Sequence, residues 1–209
     1  GAYLYDMDNR EYLDFLSGYS VFNIGRNHPV VKQAIRDVLE MDLPNMVQMD
    51  CSLLSGLLAE ALVKRTPSHL DAVFFCNSGT EAMEGALKFA RAATGRKRVI
   101  SLESAFHGLS LGSLSLMGCE SFTEGFGPLM DGFDTRIALD DIDALERELS
   151  SRNVAAFVVE TVQGKGCRSP KTDFFVRAQE LCRNYGTLFI SDEIQTGLGR
   201  TGKFLAGEH

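Results

Sequence analysis

The chain has 209 residues, 44% of them hydrophobic, with a formal net charge of −7. That is enough apolar material for one sizeable α/β core. An acidic balance without a basic cluster argues against nucleic acid and anionic membrane surfaces as partners. The five cysteines (Cys51, Cys76, Cys119, Cys167, Cys182) are odd in number and scattered. They read as reduced thiols of a cytoplasmic protein rather than a disulfide frame or a zinc site.

In chain order, Gly1-Ala2-Tyr3-Leu4-Tyr5-Asp6 reads as the middle of a small hairpin. Residues 30–41 form an amphipathic helix pattern with Val31, Ala34, Ile35, Val38 and Leu39 on one face, and 52–65 form a second, leucine-dense one. Strands are predicted over 72–76, 98–102, 155–159 and 187–191. Helices are predicted between them over 79–94, 140–150 and 173–185. The stretch 120–135, with three glycines and one proline, reads as an irregular surface excursion. No run of apolar residues approaches membrane-spanning length. Alternating strands and helices predict an α/β fold whose mostly parallel sheet is sandwiched by helices. Residues 1–45 read as an N-terminal segment with part of a small domain, and 46–209 as an incomplete large domain.

Two stretches carry chemistry. Leu188, Phe189 and Ile190 predict a buried strand that delivers Asp192 to the carboxyl end of a sheet, where open α/β folds hold ligands. An unpaired carboxylate there is costly, so a cationic partner is expected. The second stretch, Asn77-Ser78-Gly79-Thr80-Glu81-Ala82, follows the apolar run Val73-Phe74-Phe75-Cys76 and is the candidate for supplying that partner. Ser78 and Glu81 have capping-box spacing at the start of a helix. Free N–H groups at such an end attract anions. The helix dipole contributes at most ~2 kcal/mol, against ~8 kcal/mol for micromolar retention of a phosphate ligand. More than a helix end is therefore required.

Together with Tyr12-Leu13-Asp14-Phe15-Leu16-Ser17-Gly18-Tyr19, Asn27-His28-Pro29, Phe106-His107-Gly108, Val159-Glu160-Thr161-Val162-Gln163-Gly164, the run Asp192 to Gly202 and Glu208-His209, these stretches resemble the class III (ornithine-type) pyridoxal-phosphate-dependent aminotransferases. The blocks occur in the family's order along nearly the whole chain. The resemblance implies the large domain of a fold-type I pyridoxal-phosphate enzyme, incomplete at both ends, over 46–209. It also implies a homodimer, and transfer of an amino group from an amine or ω-amino donor to a 2-oxo acid. Asp192 would face the pyridine nitrogen and keep it protonated, which makes the ring a better electron sink. Phe106 would stack on the ring, and Gln195 would bond near the ring hydroxyl. Ser78, Gly79 and Thr80 would hold the phosphate. His107 and Glu160 join the cofactor-binding set, with Gln163 on the same sheet edge, and Tyr19 matches a position that reaches the substrate. His107 alone also reads as a buried, hydrogen-bonded side chain.

The family's Schiff-base lysine lies on a loop beyond the next strand. Lys203 is the only lysine after Asp192 and sits inside the glycine-rich run instead. An internal fragment, inactive by itself, is therefore expected. Leu109 stands where ornithine-type members usually carry arginine, Lys165 where they carry glutamate, and Thr161 where proline is common. Leucine offers no bidentate fork to a carboxylate. These departures argue for a terminal amine or diamine donor over ornithine or acetylornithine. Three other readings remain open: an aminomutase of the same fold, a non-catalytic cofactor-binding remnant, and an α/β-hydrolase. The last would use Ser110, in Gly108-Leu109-Ser110-Leu111-Gly112, with Asp192 and His209. Gly197-x-Gly199-x-x-Gly202 also fits a dinucleotide fingerprint, but it starts too far past its strand. No histidine or cysteine pair has metal spacing.

Overall fold

The computed structural model describes residues 1–44 and 52–209. The boundary drawn between residues 45 and 46 therefore lies outside the described residues, as does Cys51. The chain divides into two compact units, one of Gly1–Phe75 with Leu198–Phe204 and one of Cys76–Gly197 with Leu205–His209.

In the first unit, β1 (Tyr3–Tyr5) pairs antiparallel with β2 (Glu11–Leu13), Tyr3 lying opposite Leu13. Asp6 Oδ1 accepts from the Asp8 and Arg10 amides at 2.9 Å each and closes the turn, as an Asx side chain does where strands reverse. The expected hairpin is present. A single turn, α1 (Ser17–Ser20), follows, with Ser17, Gly18, Tyr19 and Ser20 all at positive φ. Then come α2 (Pro29–Glu40), with proline in its first turn where a missing N–H costs nothing, and α3 (Leu53–Val63), capped by Ser52. The strand expected over 72–76 does not form. That segment stays outside both sheets, and Phe74 and Phe75 are 65% and 44% exposed. Its Val-Phe-Phe composition suits a strand, but strand character comes from cross-strand pairing and burial rather than from the residues alone.

The second unit holds the core. Helix α4 (Gly79–Thr94) starts at the N-cap Ser78 and stops at Gly95, whose left-handed φ of +68° suits the absence of a Cβ. Next come β3 (Arg98–Leu102), a one-turn helix α5 (Leu111–Leu114), β4 (Thr135–Ile137), α6 (Ile142–Leu149), β5 (Val154–Glu160), α7 (Phe174–Tyr185) and β6 (Leu188–Asp192). The strands form one parallel sheet in the order β4-β3-β5-β6. Every residue of β5 is buried, as a central parallel strand requires. Phe157 and Val159 pack with Leu145 and Leu149 of α6 and Phe174 and Ala178 of α7. Ala156 and Val158, pointing the other way, pack with Met83, Leu87 and Ala90 of α4. The sheet is thus covered by helices on both faces.

Two expectations change here. The stretch 120–135 is irregular apart from a 3-10 turn at Glu120–Phe122, but its last residue opens β4, an edge strand too short to show alternation. The strand expected to be buried over 187–191 is β6 at the sheet's other edge, where Leu188 is 41% exposed and only Asp192 is buried. An apolar triplet cannot distinguish a central strand from an edge strand, because both present the same side chains to the layer beneath.

Candidate active site

All the site's geometry described below, except Tyr19, belongs to the second unit. The parallel register places Glu160 directly beside Asp192 at the carboxyl ends of β5 and β6. The loop that leaves β3 at Leu102 brings Phe106, His107 and Gly108 to the same edge. Gly108 has a φ of +124°, and a Cβ there would stand 2.5 Å from Thr80 Oγ1, so the loop approaches the start of α4 as only glycine allows.

Asp192 finds its partner in that loop. Its Oδ2 lies 2.8 Å from His107 Nδ1, and its Oδ1 accepts from the Ile194 amide at 3.1 Å. The expected partner was sought at the start of α4; it is the buried histidine instead. Both side chains are almost wholly out of water. A carboxylate accepts, so Nδ1 carries the proton, and His107 Nε2 is left buried with no partner among the described residues. His107 thus meets the bland expectation of a hydrogen-bonded core histidine while resting directly on the key carboxylate.

Glu160 is buried and divides its oxygens between two loops. Oε2 accepts from the Phe106 amide at 2.9 Å and Oε1 from the Gly164 amide at 3.0 Å. Burial pushes its carboxyl above the ordinary range, and those two N–H bonds oppose the shift. Gln163, also buried, donates from Nε2 to the Glu103 carbonyl at 2.7 Å and ties the β5 loop to the β3 loop. A Cβ on Gly164 would stand 1.7 Å from Gln195 Oε1, so the Gln195 side chain lies against the Gly164 backbone. Phe106 keeps 38% of its surface exposed and meets Phe122 edge to face, with centroids 5.4 Å apart.

At the start of α4, Ser78 Oγ accepts from the Glu81 amide at 3.3 Å. The reciprocal bond is shifted by one residue, because Glu81 Oε2 accepts from the Asn77 amide at 2.6 Å and not from that of Ser78. The Thr80 hydroxyl lies 2.6 Å from Ser110 Oγ and 2.7 Å from Ser113 Oγ. Glu84 Oε1 accepts from Ser110 Oγ and from the Ser113 amide. With both hydroxyls engaged, the helix end offers an anion the amides of Gly79 and Thr80, which have no intrahelical acceptor. Glu84 and Ser113 are participants the sequence reading missed. Thr80 and Glu84 stand at i,i+4 on one helix face, and that spacing could have found the glutamate.

Tyr19 lies in the first unit, 76% exposed and at a φ of +58°. The hydrolase reading fails on contacts, since Ser110 Oγ bonds Glu84 while Asp192 holds His107. The glycine run after Asp192 opens no α-helix, so it is not a dinucleotide turn. No helix among the described residues is long and apolar enough to cross a membrane.

The whole chain, residues 1–209, matches the family model for aminotransferase class-III. It is 42% identical over 209 residues to the acetylornithine aminotransferase of Bacillus cereus, covering 100% of this chain and 53% of that protein. The solved ornithine aminotransferase of Toxoplasma gondii superposes with a TM-score of 0.92 at 36% identity, covering 100% of this chain and 51% of that one. The taurine:2-oxoglutarate aminotransferase of Bifidobacterium kashiwanohense, solved with PLP and glutamate, gives 0.90 at 28% identity over 100% and 52%. The chain spans about half the length of these relatives.

Proposed function

The chain belongs to the class-III aminotransferases, and from that premise we propose that it serves pyridoxal-phosphate-dependent transfer of an amino group from an amine or ω-amino donor to a 2-oxo acid. The observation that carries this reading is Asp192, a buried carboxylate at the end of β6 held on one side by His107. The donor set fits the cofactor. Asp192 suits a protonated ring nitrogen, the half-exposed Phe106 suits a flat ring face, and the amides at the start of α4 suit a phosphate.

Bound there, the cofactor supplies the electron sink for the carbanion of transamination. The chain's own residues do the rest. Asp192 holds a proton at the ring nitrogen, and the His107 Nδ1–H bond keeps the carboxylate from turning away. Glu160 braces the loop that carries Phe106, because one oxygen holds the Phe106 amide and the other the Gly164 amide. Gln195, against Gly164, is assigned the ring hydroxyl, and Tyr19 the substrate. We place the cofactor-binding large domain over 46–209 and part of the small domain over 1–45. The protein acts as a cytoplasmic homodimer.

Leu109 is 60% exposed and offers no fork for a carboxylate, and Lys165 reverses a charge. Both favour a terminal amine or diamine donor, whereas the acetylornithine and ornithine relatives favour those substrates. Two assays separate the claims. Titration of the protein with pyridoxal phosphate should perturb the cofactor's absorbance, and Asp192→Ala should abolish that perturbation while circular dichroism stays unchanged; an unaffected titration removes the site assignment. Donor screening of the full-length enzyme then tests the substrate. Saturable activity on acetylornithine with none on simple ω-amines removes the donor claim alone.

A further inference from the structure

Three hydroxyls and one carboxylate meet beside the start of α4, in a cluster that the cofactor assignment leaves without a role. Thr80 and Glu84 stand one turn apart on α4, opposite Ser110 and Ser113 at the start of α5. Ser110 Oγ donates to Glu84 Oε1 at 2.5 Å, and the Ser113 amide donates to the same oxygen at 2.9 Å. The Ser110 proton is thereby fixed, so the 2.6 Å contact between Ser110 Oγ and Thr80 Oγ1 uses the Thr80 proton. Thr80 Oγ1 accepts in turn from the Ser110 amide at 3.1 Å. The last proton, on Ser113, lies between Thr80 Oγ1 at 2.7 Å and the Ser110 carbonyl at 3.0 Å. Every hydroxyl proton of the cluster is held inside it. The side chain that sets their order is Glu84, whose carboxylate only accepts.

We propose that Glu84 is a positioning residue that sets the spacing between the two ends of the cofactor site; this rests on the site proposed at Asp192 and the start of α4. One end, the Gly79 and Thr80 amides, is rooted in α4. The other, Phe106 with the His107–Asp192 pair, includes the loop that runs on through Gly108 to Ser110. Gly108 lies on the cluster itself, since a Cβ there would stand 2.5 Å from Thr80 Oγ1 and 2.8 Å from Ser113 Oγ. Glu84 Oε2 rests against the Gly112 backbone in the same way, with a Cβ there only 2.3 Å away. The carboxylate therefore clasps helix to loop through Ser110 and Ser113. Ser113 has no exposed surface, so water does not compete for its bonds. A ligand that spans both ends gains from their fixed spacing, because its second group then binds intramolecularly. A ligand that reaches only one end gains nothing from it.

Calorimetric titration of the cofactor-free, full-length enzyme with three ligands tests this. Pyridoxal phosphate spans both ends, pyridoxal reaches the ring end, and inorganic phosphate reaches the helix end. Glu84→Ala should weaken pyridoxal phosphate about tenfold while leaving pyridoxal and inorganic phosphate within about twofold. Glu84→Gln, whose amide oxygen can accept both bonds, should keep pyridoxal phosphate within about threefold. Four results overturn the proposal: an equal loss for inorganic phosphate, an equal loss for all three ligands, an equal loss in the glutamine variant, or full affinity in a folded Glu84→Ala enzyme. Ser110→Ala cuts the link to Thr80 and keeps the carboxylate with its Ser113 bond. It should give the same pattern as Glu84→Ala, and it decides should Glu84→Ala fail to fold. An unmutated enzyme that binds pyridoxal phosphate no tighter than pyridoxal removes the phosphate end itself, and with it the site assignment as well as the clasp.

Discussion

Helices α2 and α4 are both amphipathic in sequence, and the structure treats them in opposite ways. Helix α4 buries Met83, Leu87 and Ala90 against β3 and β5, whereas α2 buries no residue and leaves Val30, Ile35 and Leu39 more than half exposed. The same holds for the units that contain them. Every buried apolar residue of the described chain belongs to the unit of Cys76–Gly197 with Leu205–His209, and none to the other. An apolar stripe states which face of a helix seeks cover; whether cover exists depends on other elements. A helix without it gains little from packing, which is where most helical stability in proteins originates.

The sharpest way to break this comparison is a pair of truncations. Leu145→Ala, at a site fully out of water, should cost about 2–5 kcal/mol in urea unfolding. Leu39→Ala, at a site 77% exposed, should cost under ~1 kcal/mol. Equal losses would show that the α2 face is covered in solution.

Next in size come the buried polar contacts of the core unit around Asp192 and Glu160. Removing the carboxylate with Asp192→Ala leaves the His107 Nδ1–H unsatisfied as well as Nε2, a loss of about 1–3 kcal/mol readable as a lowered melting temperature. Glu160→Gln replaces one of two accepting oxygens by an NH2 facing an N–H donor, and should also cost about 1–3 kcal/mol at neutral pH.

Glu160 also makes a pH prediction. Its folded value is raised, so the stability tied to its neutral form is fully present below the ordinary value of 4.5 and is lost as pH rises through the folded value. Unfolding free energy measured upward from pH 4.5 should therefore slope less in the glutamine variant. An unchanged slope would show that the carboxyl is not desolvated.

The smallest effect concerns α3 and α4, the helices capped by serine. Ser78→Ala and Ser52→Ala each remove a hydroxyl that accepts an N–H of the first turn, at 3.3 and 3.4 Å. Each should cost about 1 kcal/mol locally. Hydrogen exchange should report the Ser78 loss as lower global protection and the Ser52 loss as fraying confined to α3, because only α4 is packed into a core.

Much of this was legible in the residues. Helix α4 and strand β3 begin and end where expected, because their signals are local: an N-cap serine, a C-cap glycine and a run of β-branched residues. The candidate site residues were named from motif blocks, and the structure brings Asp192, Glu160, Phe106 and His107 to one sheet edge, with Gly108 against Thr80 at the start of α4. Strand β4 was missed because its three residues include Arg136, whose guanidinium donates to the Ser115 and Met117 carbonyls and so serves loop packing rather than strand alternation. Glu84 was missed as a partner of the Ser110 and Ser113 segment because the two lie 26 and 29 residues apart in sequence.

By itself the sequence determined the element types, the parallel α/β class, the family blocks and the presence of a carboxylate at the end of the last strand, since propensity, capping and periodicity act over a few neighbouring residues. Only the tertiary structure decided that residues 72–76 stay outside the sheets and that β6 is an edge. It alone decided that the partner of Asp192 is a histidine 85 positions away, and that Lys165 rests on Cys119. Those outcomes depend on which elements come together in space, and pairing between distant segments leaves no periodic trace in either of them.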